Sequence, residues 1–500
     1  MKLSELTAGI EGLRIDGNPE VEVGGICYDS RRVKPGDLFC ALRGAVTDGH
    51  RFIDQAVEAG AGAVLREDGE PTAGVTTLQT ENGRAVMAAL AARFYGHPTA
   101  GMKVVGITGT NGKTTVSYLL ESLLNEADEH VAVIGTVAYR FGSRLLPAPN
   151  TTPEAVDLQR LAAEFREQGC TALVMEVSSH ALAQQRVVGV AFDVGVFTNL
   201  TPEHLDYHRE MESYFAAKRL LFAPEGGAAR AVINIDDPWG VRLAKERPDA
   251  VTCGFDAAAR VRIVDAELGM EGIRAKLATP AGELSIRSPL LGRFNLANLV
   301  CAAGVGVALG MDTERIERGL AALQRVPGRL ESVENRLGAR ILVDYAHTGD
   351  ALEKALETLR DLRPRRLLTV FGCGGDRDRG KRPQMGEVAA RLSDLVIVTS
   401  DNPRSEDPQR IIADILPGLE RTEAKRLATA ELPEAGTTGY LVIADRRRAI
   451  ETAVALTGRG DILLVAGKGH EDYQIIGARK IHFDDREEIR RALDGRTTKE

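Results

Sequence analysis

The sequence predicts an α/β protein of three domains: a small mixed α/β N-terminal domain, a central parallel-sheet domain of P-loop type, and a C-terminal doubly wound domain of Rossmann type. Three observations predict this fold class. The chain has 500 residues, too many for one ordinary hydrophobic core. From Lys103 onward, short apolar stretches alternate with amphipathic helical stretches, as in parallel sheets covered by helices. A glycine-rich turn follows the first of these stretches. We place the domains at 1–98, 99–328 and 329–500.

The N-terminal domain contains short strand patterns and two helix patterns. The stretches "EVEVGGICYDS" and "GDLFCAL" are alternating or continuously apolar, as in strands. "RFIDQAVEAGAGAVLRE" indicates a helix, a glycine stop and a strand, and "GRAVMAALAARFYG" indicates a helix that ends at Gly96.

The central domain begins with alternating strand and helix patterns. "MKVVGIT", "HVAVIGTV", "TALVMEVS" and "FDVGVFTNL" are apolar on both faces, which is typical of parallel strands. Residues 260–290 indicate antiparallel hairpins instead, and "LANLVCAAGVGVALG" indicates a closing helix.

The C-terminal domain repeats the alternation. Its predicted strands are "ARILVDYAH", "LLTVFGCGG", "DLVIVTSD" and "DILLVAGKG", separated by three amphipathic helices. Ligands of doubly wound sheets bind outside the carboxyl ends of the strands, so we expect the functional residues there.

Composition narrows the class of protein. Apolar residues make up 44% and charged residues 27%, as in ordinary globular proteins, and the net charge of -8 argues against a nucleic-acid partner. The six cysteines form no C-x-x-C pair, which favours free thiols in a reducing compartment. Neither a secretory signal nor an apolar run of membrane-spanning length is visible. We therefore expect a cytoplasmic protein with no membrane partner.

The stretch "VVGITGTNGKTTVSYLL" predicts a phosphate-binding loop between a strand and a helix. The common pattern has a glycine five positions before Gly112, where this chain has Ile107. Backbone N–H groups and the helix N-terminus still favour an anion. Lys113 can reach the terminal phosphates of a nucleotide, and the Thr114 hydroxyl can bind Mg²⁺. The alternative is an ordinary glycine-rich turn, which the Lys-Thr pair at the helix start disfavours.

"GTNGKTT" resembles the ATP loop of the Mur ligase family, ATP-dependent amide-forming enzymes of peptidoglycan synthesis. The resemblance implies that ATP phosphorylates a carboxylate and that an amine then attacks the acyl phosphate. With the matching stretches "GRFNLANLVCAA", "PGRLE" and "VDYAHTGDAL", it implies ATP contacts at Gly109, Thr110, Asn111, Gly112, Lys113, Thr114, Thr115, Asn298, Arg329 and Asp344. A helix cap is the alternative role for Asp344.

The same resemblance implies a catalytic set of Lys113, Glu176, His204 and Lys218, in which Thr114, Glu176, His204 and carbamylated Lys218 hold Mg²⁺. Taken alone, Glu176 could be a capping or solvated carboxylate, and His204 a turn histidine. Lys218 could cover apolar surface with its stem and keep its ammonium group in water. The phosphate loop and the three residues together favour the catalytic set.

The stretches "CYDSRRVKPGDLF", "APNTTPEAVDL" and "SSHALAQQR" resemble the segments that bind the UDP-sugar peptide in this family. Hydroxyl and amide groups suit a polar substrate, and an arginine suits its carboxylate. The implied contacts are Ser30, Asn150, Thr151, Thr152, Ser178, Gln184 and Arg186. Turn and cap roles are the alternatives, above all for Ser30.

The stretch "TSDNPRSEDP" concerns the choice of amine. Pro403 biases Asn402 toward an extended conformation, and Arg404 then presents a fork suited to a carboxylate. A turn with an exposed arginine is the alternative. Asp-Asn-Pro-Arg resembles the motif of family members that add diaminopimelate, whose second carboxylate lysine lacks. The implied contacts are Arg377, Asp401, Asn402, Pro403, Arg404, Gly467 and Glu471.

The resemblance thus implies UDP-N-acetylmuramoyl-L-alanyl-D-glutamate, meso-2,6-diaminopimelate and ATP as substrates, and Mg²⁺ as cofactor. We expect a monomeric enzyme. Two alternatives stay open from the sequence. One is a ligase of the same superfamily that adds lysine or glutamate, and the other is a catalytically inactive nucleotide-binding regulator.

Overall fold

The computed structural model describes residues 1–44, 47–428 and 438–497. The chain divides into two compact units, which are described separately below. The first comprises Met1–Val264, Lys276–Ser285 and Ala297–Leu320, and the second comprises Asp265–Ala275, Ile286–Leu296 and Ala321–Glu500.

The N-terminal part of the first unit is a five-stranded sheet, parallel except for one antiparallel edge strand. Its strands, in spatial order, are Arg14–Asp16, Thr76–Gln79, Ala63–Arg66, Asp37–Cys40 and Gly25–Cys27. The α-helices of this part are Leu3–Thr7, Ile53–Glu58 and Gly83–Phe94, and the 3-10 helices are Ser30–Arg32 and Gly49–Phe52. Both predicted helices are present.

The second sheet has eleven strands, and the phosphate-loop strand Lys103–Thr108 lies in its middle. In spatial order the strands are Gly282–Ser288, Gly272–Thr279, Val261–Gly269, Val251–Gly254, Arg230–Asn234, Val194–Phe197, Lys103–Thr108, Ala172–Glu176, Val131–Ile134, Tyr139–Phe141 and Arg144–Leu146. The strands from Val251–Gly254 to Val131–Ile134 are parallel, which confirms the predicted parallel sheet. The carboxyl ends of neighbouring strands therefore meet at one edge.

The helices that follow these strands begin with the phosphate-loop helix Lys113–Asn125. The others are Ala155–Glu167, Ser179–Ala183, Leu205–His208, Met211–Arg219, Pro238–Glu246, Arg293–Ala308 and Thr313–Ala322, with the 3-10 helix Leu220–Phe222. Buried aromatic side chains such as Phe165, Phe197 and Phe215 pack in the core of this part.

The C-terminal sheet of the second unit confirms the predicted doubly wound domain. Its strands, in spatial order, are Glu331–Val333, Arg340–Asp344, Ile462–Ala466, Leu367–Phe371, Leu395–Val398 and Gly439–Val442, and all but the first are parallel. The helices are Gly349–Asp361, Lys381–Leu392, Pro408–Glu420, Arg446–Leu456 and Asp485–Thr497, and a hairpin joins Tyr473–Ile476 to Arg479–His482.

Alternate residues of these parallel strands are buried in cores on opposite faces of the sheet. Leu342 and Leu464 belong to one core, and Val343 and Val465 belong to the other. This is why the strands are apolar without interruption, since neither face meets water.

All six cysteines are free, and five of them are buried, as predicted. Among the described residues, every helix is too short or too polar to cross a membrane.

Candidate active site

At two positions of the phosphate loop the backbone has a conformation that favours glycine. Gly109 has φ 149° and Gly112 has φ 90°, values that L side chains rarely adopt. A Cβ atom at Gly109 would lie 1.9 Å from Thr198 Oγ1, and one at Gly112 would lie 2.4 Å from Asn298 Oδ1. The loop therefore lies directly against the residues that surround it, including the predicted ATP contact Asn298.

Residues after the neighbouring strand Val194–Phe197 hold the loop in place. The Asn111 N–H donates to Asn199 Oδ1 at 2.9 Å, and the Asn111 carbonyl accepts from Thr198 Oγ1 at 2.6 Å. The Lys113 ammonium donates to the carbonyls of Gly109 and Thr110, each at 2.8 Å. The lysine thus lies folded over the loop, where a phosphate group would be bound.

Glu176 ends the strand next to the phosphate-loop strand, and its carboxylate is buried. One oxygen accepts from the Thr114 hydroxyl at 3.1 Å and from the Thr136 hydroxyl at 3.0 Å, and the other accepts from the Thr136 N–H at 3.0 Å. The solvated and capping alternatives are both wrong, since Ser178 caps the helix that follows. Two of the predicted metal ligands, Thr114 and Glu176, are in contact.

The Thr114–Glu176 pair is chemically suited to Mg²⁺, which prefers oxygen ligands. Glu176 and Thr114 supply such oxygens from a buried position. Across residues 1–44, 47–428 and 438–497, no group of three or more His, Cys, Asp or Glu side chains is arranged to hold a metal ion. The predicted set therefore suits Mg²⁺ only if the Thr114 hydroxyl and a carbamylated Lys218 supply ligands beside Glu176 and His204.

Lys218 is buried on the helix Met211–Arg219, with 1% of its surface exposed. Its ammonium donates to the Gly109 carbonyl at 2.9 Å and lies 4.7 Å from the ring centroid of Tyr214. Burial, and then the charge of Lys113, hold the pKa of Lys218 well below its ordinary value. The alternative in which its ammonium group stays in water is wrong. An amine of lowered pKa is more often neutral, which is the form that reacts with CO₂.

His204 precedes the short helix Leu205–His208 and has a left-handed backbone with φ 57°. Its side chain is half-buried, and its ring centroid lies 4.9 Å from that of His180. Burial lowers the pKa of His204; the carboxylate of Glu203 opposes this effect, and the charges of Lys113 and Lys218 add to it. The His204 ring centroid lies 6.1 Å from that of Tyr214, whose hydroxyl contacts the phosphate loop.

A buried histidine behind the loop was missed by the sequence analysis. The His208 ring stacks on Tyr214 with centroids 5.0 Å apart, and His208 Nε2 lies 2.9 Å from Ser179 Oγ. The Tyr214 hydroxyl lies 3.1 Å from Thr110 Oγ1 in the phosphate loop. His208 therefore supports the loop through Tyr214. The aromatic and histidine spacing of "EHLDYHREMESYF" is the signal that could have revealed it.

The burial of His208 predicts a pH dependence of stability. Burial lowers the pKa of His208 to about 4, whereas an unfolded histidine titrates near pH 6.5, about its reference value. The unfolded state binds more protons between these values, so the free energy of unfolding decreases as pH falls through this window. We therefore expect the Tm of His208→Gln to fall less than that of the unsubstituted enzyme when the pH is lowered from about 7 to about 4.5. His130→Gln, at an exposed position, is the control, and equal slopes for the two variants would contradict the prediction.

Six of the seven residues predicted to bind the UDP-sugar peptide form one patch beside Glu176. The buried Thr152 hydroxyl donates to the Glu176 carbonyl at 2.8 Å and accepts from the Ser178 N–H at 3.0 Å. Thr151 Oγ1 lies 3.0 Å from Thr136 Oγ1, which also contacts Glu176. The preceding residue, Asn150, is exposed.

Arg186 anchors the other side of this patch. Its guanidinium donates to the Thr152 carbonyl at 3.0 Å and to Gln184 Oε1 at 2.7 Å, and it pairs with Glu154 at 2.8 Å. Glu154 was not predicted, and its carboxylate occupies part of the guanidinium fork. The seventh residue, Ser30, lies on the 3-10 helix Ser30–Arg32 and donates to Gln55 at 3.0 Å. Asp29, rather than Ser30, caps that helix.

In the second unit, Asp344 and Arg329 are neighbours. Asp344 ends the strand Arg340–Asp344, and its two carboxylate oxygens accept from the N–H groups of Leu330 at 2.7 Å and Ala346 at 2.8 Å. Burial raises the pKa of Asp344, and the charge of Arg329 opposes this shift. The capping alternative is wrong, since Thr348 caps the helix that follows.

The predicted amino-acid contacts lie at the carboxyl ends of three adjoining strands of the second unit. Asn402 Nδ2 donates to Glu471 Oε2 at 2.9 Å. Burial, and then the charge of Asp401, raise the pKa of Glu471. Gly467 has φ 117°, and a Cβ atom there would lie 3.2 Å from Asp401 Oδ2. These groups form one polar cluster, whereas Arg377 is exposed at its side.

Arg404 is held by its backbone and by its side chain. Its N–H donates to the Ile475 carbonyl at 3.0 Å, and its Nη1 donates to the Gly375 carbonyl at 2.7 Å. Its φ of 51° lies in the left-handed region, directly after the buried Pro403. The alternative of a freely exposed arginine on a turn is wrong, because the guanidinium is partly buried and aimed by these contacts.

Three family models match the chain. They are "Mur ligase family, catalytic domain" over residues 22–95, "Mur ligase middle domain" over residues 107–306, and "Mur ligase, glutamate ligase domain" over residues 328–469.

The chain is also similar to curated proteins and to a solved structure, each named UDP-N-acetylmuramoyl-L-alanyl-D-glutamate–2,6-diaminopimelate ligase. The protein from Geobacter metallireducens is 50% identical over 99% of this chain and 98% of its own length. That from Geobacter sulfurreducens is 49% identical over 98% of both chains. The solved structure is 33% identical, covers 99% of both chains and has a TM-score of 0.72.

Proposed function

Because the chain belongs to the Mur ligase family, we propose that it is an ATP-dependent amide ligase that joins meso-diaminopimelate to UDP-N-acetylmuramoyl-L-alanyl-D-glutamate in peptidoglycan synthesis. The names of relatives that match nearly the whole chain support the reaction. The observation that carries the choice of amine is the anchored guanidinium of Arg404 beside the Asn402–Glu471 pair.

The proposed reaction has two steps. The free carboxylate of D-glutamate attacks the γ-phosphorus of ATP, which releases ADP and forms an acyl phosphate. The amine of diaminopimelate then attacks the acyl carbon, and the tetrahedral intermediate collapses to an amide with loss of phosphate and a proton. Charge accumulates on phosphate oxygens in the first step, where fixed donors are most effective. We assign that role to Lys113 and to the loop N–H groups from Gly109 to Thr115.

We propose that Thr114, Glu176, His204 and carbamylated Lys218 hold Mg²⁺. When bound, the ion would neutralise negative charge on the phosphate groups of the substrates. In the chain itself, Thr136 orients Glu176 through both carboxylate oxygens, so the carboxylate is fixed before any ligand arrives. In the first unit, Asn298 is the further residue that we assign to ATP, and Arg329 and Asp344 are the predicted ATP contacts of the second unit.

The modification of Lys218 is a separate prediction. A buried amine of lowered pKa reacts with CO₂ in its neutral form, and the resulting carbamate is an anion that no longer repels Lys113. We expect the native enzyme in bicarbonate buffer to gain the mass of one CO₂ on the peptide that contains Lys218. Lys218→Met should lack this gain, while Lys245→Met, at an exposed position of the first unit, should keep it. An equal gain on both variants would contradict the assignment.

The polar patch around Thr152, Ser178 and Arg186 would bind the peptide end of the UDP-linked substrate next to the carboxylate of Glu176. We assign the same substrate to Asn150, Thr151, Gln184 and, at the N-terminal sheet, Ser30. The cluster of Asp401, Asn402, Arg404, Gly467 and Glu471, with Pro403 and the exposed Arg377 beside it, would bind the diaminopimelate zwitterion.

An amino-acid panel with phosphate release as readout tests the proposed function. We expect release from ATP only when the UDP-linked dipeptide and meso-diaminopimelate are both present, with lysine and glutamate much less effective. Preference for lysine would overturn the assignment of Arg404. ATP consumption that stays flat with every amine would instead favour the nucleotide-binding regulator.

A further inference from the structure

A buried lysine lies beneath the proposed diaminopimelate cluster and was not among the predicted contacts. Lys468 follows the strand Ile462–Ala466, between two glycines, and has 0% of its surface exposed. Its ammonium donates to Asn402 Oδ1 at 3.0 Å and to the Tyr473 carbonyl at 2.7 Å. It also forms an ion pair with Asp401 Oδ1 at 3.1 Å. A lysine so enclosed has no route to substrate and acts only through these neighbours.

These contacts determine which way the Asn402 amide points. Its oxygen faces two donors, the Lys468 ammonium and the Ile475 N–H, each at 3.0 Å. Reversing the amide would set its NH₂ group against both donors and deprive each of them of this acceptor, which is costly at a buried position. The NH₂ group therefore faces Glu471, to which it donates at 2.9 Å.

We propose that Lys468 is a positioning residue for the amino-acid substrate: its buried ammonium orients Asn402 and Asp401, and Asn402 in turn orients the Glu471 carboxylate toward the amino group of the incoming zwitterion. This inference rests on the proposed function of the same cluster. Lys468 supplies the charge that keeps Asp401 paired below the site. Without it, the two side chains of the Asp-Asn pair lose their common partner.

The test is a comparison of Michaelis constants for the three substrates in the full-length enzyme. We expect Lys468→Met to raise the KM for meso-diaminopimelate about tenfold or more, as for the loss of a buried charge-assisted hydrogen bond. The KM values for ATP and for the UDP-linked dipeptide should stay within about twofold, since their proposed contacts do not involve this lysine. Lys468→Gln keeps one NH₂ donor. Its KM for meso-diaminopimelate should therefore lie between those of the unsubstituted enzyme and Lys468→Met.

The matched control is Asp461→Asn, at the opposite end of the same strand. Asp461 is also fully buried and pairs with Arg365 and Arg366, so its loss should lower Tm without changing the KM for diaminopimelate. An unchanged KM in Lys468→Met, or an equal rise in all three KM values, would overturn the proposal. Failure of both Lys468 variants to fold, when the control folds, would likewise overturn it in favour of a purely structural role.

These outcomes are distinct from a failure of the proposed function. If the unsubstituted enzyme releases no phosphate in response to diaminopimelate, the function is wrong. If it does so and the Lys468 variants keep its KM, only the positioning role is wrong.

Discussion

Replacing Lys113 with methionine is expected to lower kcat for phosphate release about a thousandfold, as when a fixed donor to developing negative charge is removed. Methionine retains most of the length of the lysine side chain and an apolar stem, so the phosphate loop should keep its shape. The variant lacks only the ammonium group that donates to the Gly109 and Thr110 carbonyls. Steady-state kinetics with saturating substrates measures the effect.

The control for this variant is Lys103→Met, at the exposed start of the strand that leads into the loop. It should keep kcat within about twofold, as expected of a surface substitution. A second readout follows from the pair of lysines at the Gly109 carbonyl: without the charge of Lys113, the pKa of Lys218 should rise toward its ordinary value. A kcat for Lys113→Met within about tenfold of the unsubstituted enzyme would contradict the role of Lys113.

Replacing Arg404 with alanine is expected to raise the KM for meso-diaminopimelate about a hundredfold, equivalent to one strong charge-assisted contact. Discrimination against lysine should shrink by a similar factor, because only diaminopimelate offers the second carboxylate to the guanidinium. Competition between the two amines at fixed ATP measures this directly. The assignment of Arg404 would be contradicted if the ratio of kcat/KM for diaminopimelate to kcat/KM for lysine were the same in the variant and in the unsubstituted enzyme.

Arg410→Ala is the matched control, an exposed arginine on the helix Pro408–Glu420 that follows the same loop. Arg404→Lys separates charge from shape, because a lysine supplies a point charge without the planar fork. We expect this variant to recover only part of the selectivity that alanine loses.

The positions of several proposed site residues could be predicted because these residues end, or closely follow, strands that are buried on both faces. Uninterrupted apolar stretches located those strands, and polar residues at or just beyond their ends, such as Glu176, Asp344 and Asp401, then lie at carboxyl ends. This inference needs only local pattern and the rule for parallel sheets.

The contacts that orient those groups could not be predicted, because their partners are distant in sequence. Lys468 and Asn402 are 66 residues apart, and Tyr214 and Thr110 are 104 apart. Which lysine or tyrosine reaches which loop depends on how the strands are ordered in the sheet, and hydrophobic periodicity does not encode that order.

Two of the elements missed by the sequence analysis have weak apolar patterns. The hairpin strand Arg479–His482 is exposed at every residue, so it shows no alternation of buried and exposed positions. The helix Asp485–Thr497 is rich in charged residues, and Ile489 is its one fully buried apolar side chain among those described. Such segments are ordered by backbone pairing and ion pairs more than by burial of apolar surface.

The left-handed backbone of Arg404 implies a conflict between stability and selectivity. A residue with a Cβ atom pays roughly 1–2 kcal/mol to adopt this conformation, and glycine would adopt it freely. An Arg404→Gly variant is therefore expected to be more stable but, under the proposed role, to discriminate less between diaminopimelate and lysine. Under the role proposed for Arg404, amine selectivity comes with a small loss of folding stability, so selection for thermal stability alone would favour a less selective enzyme.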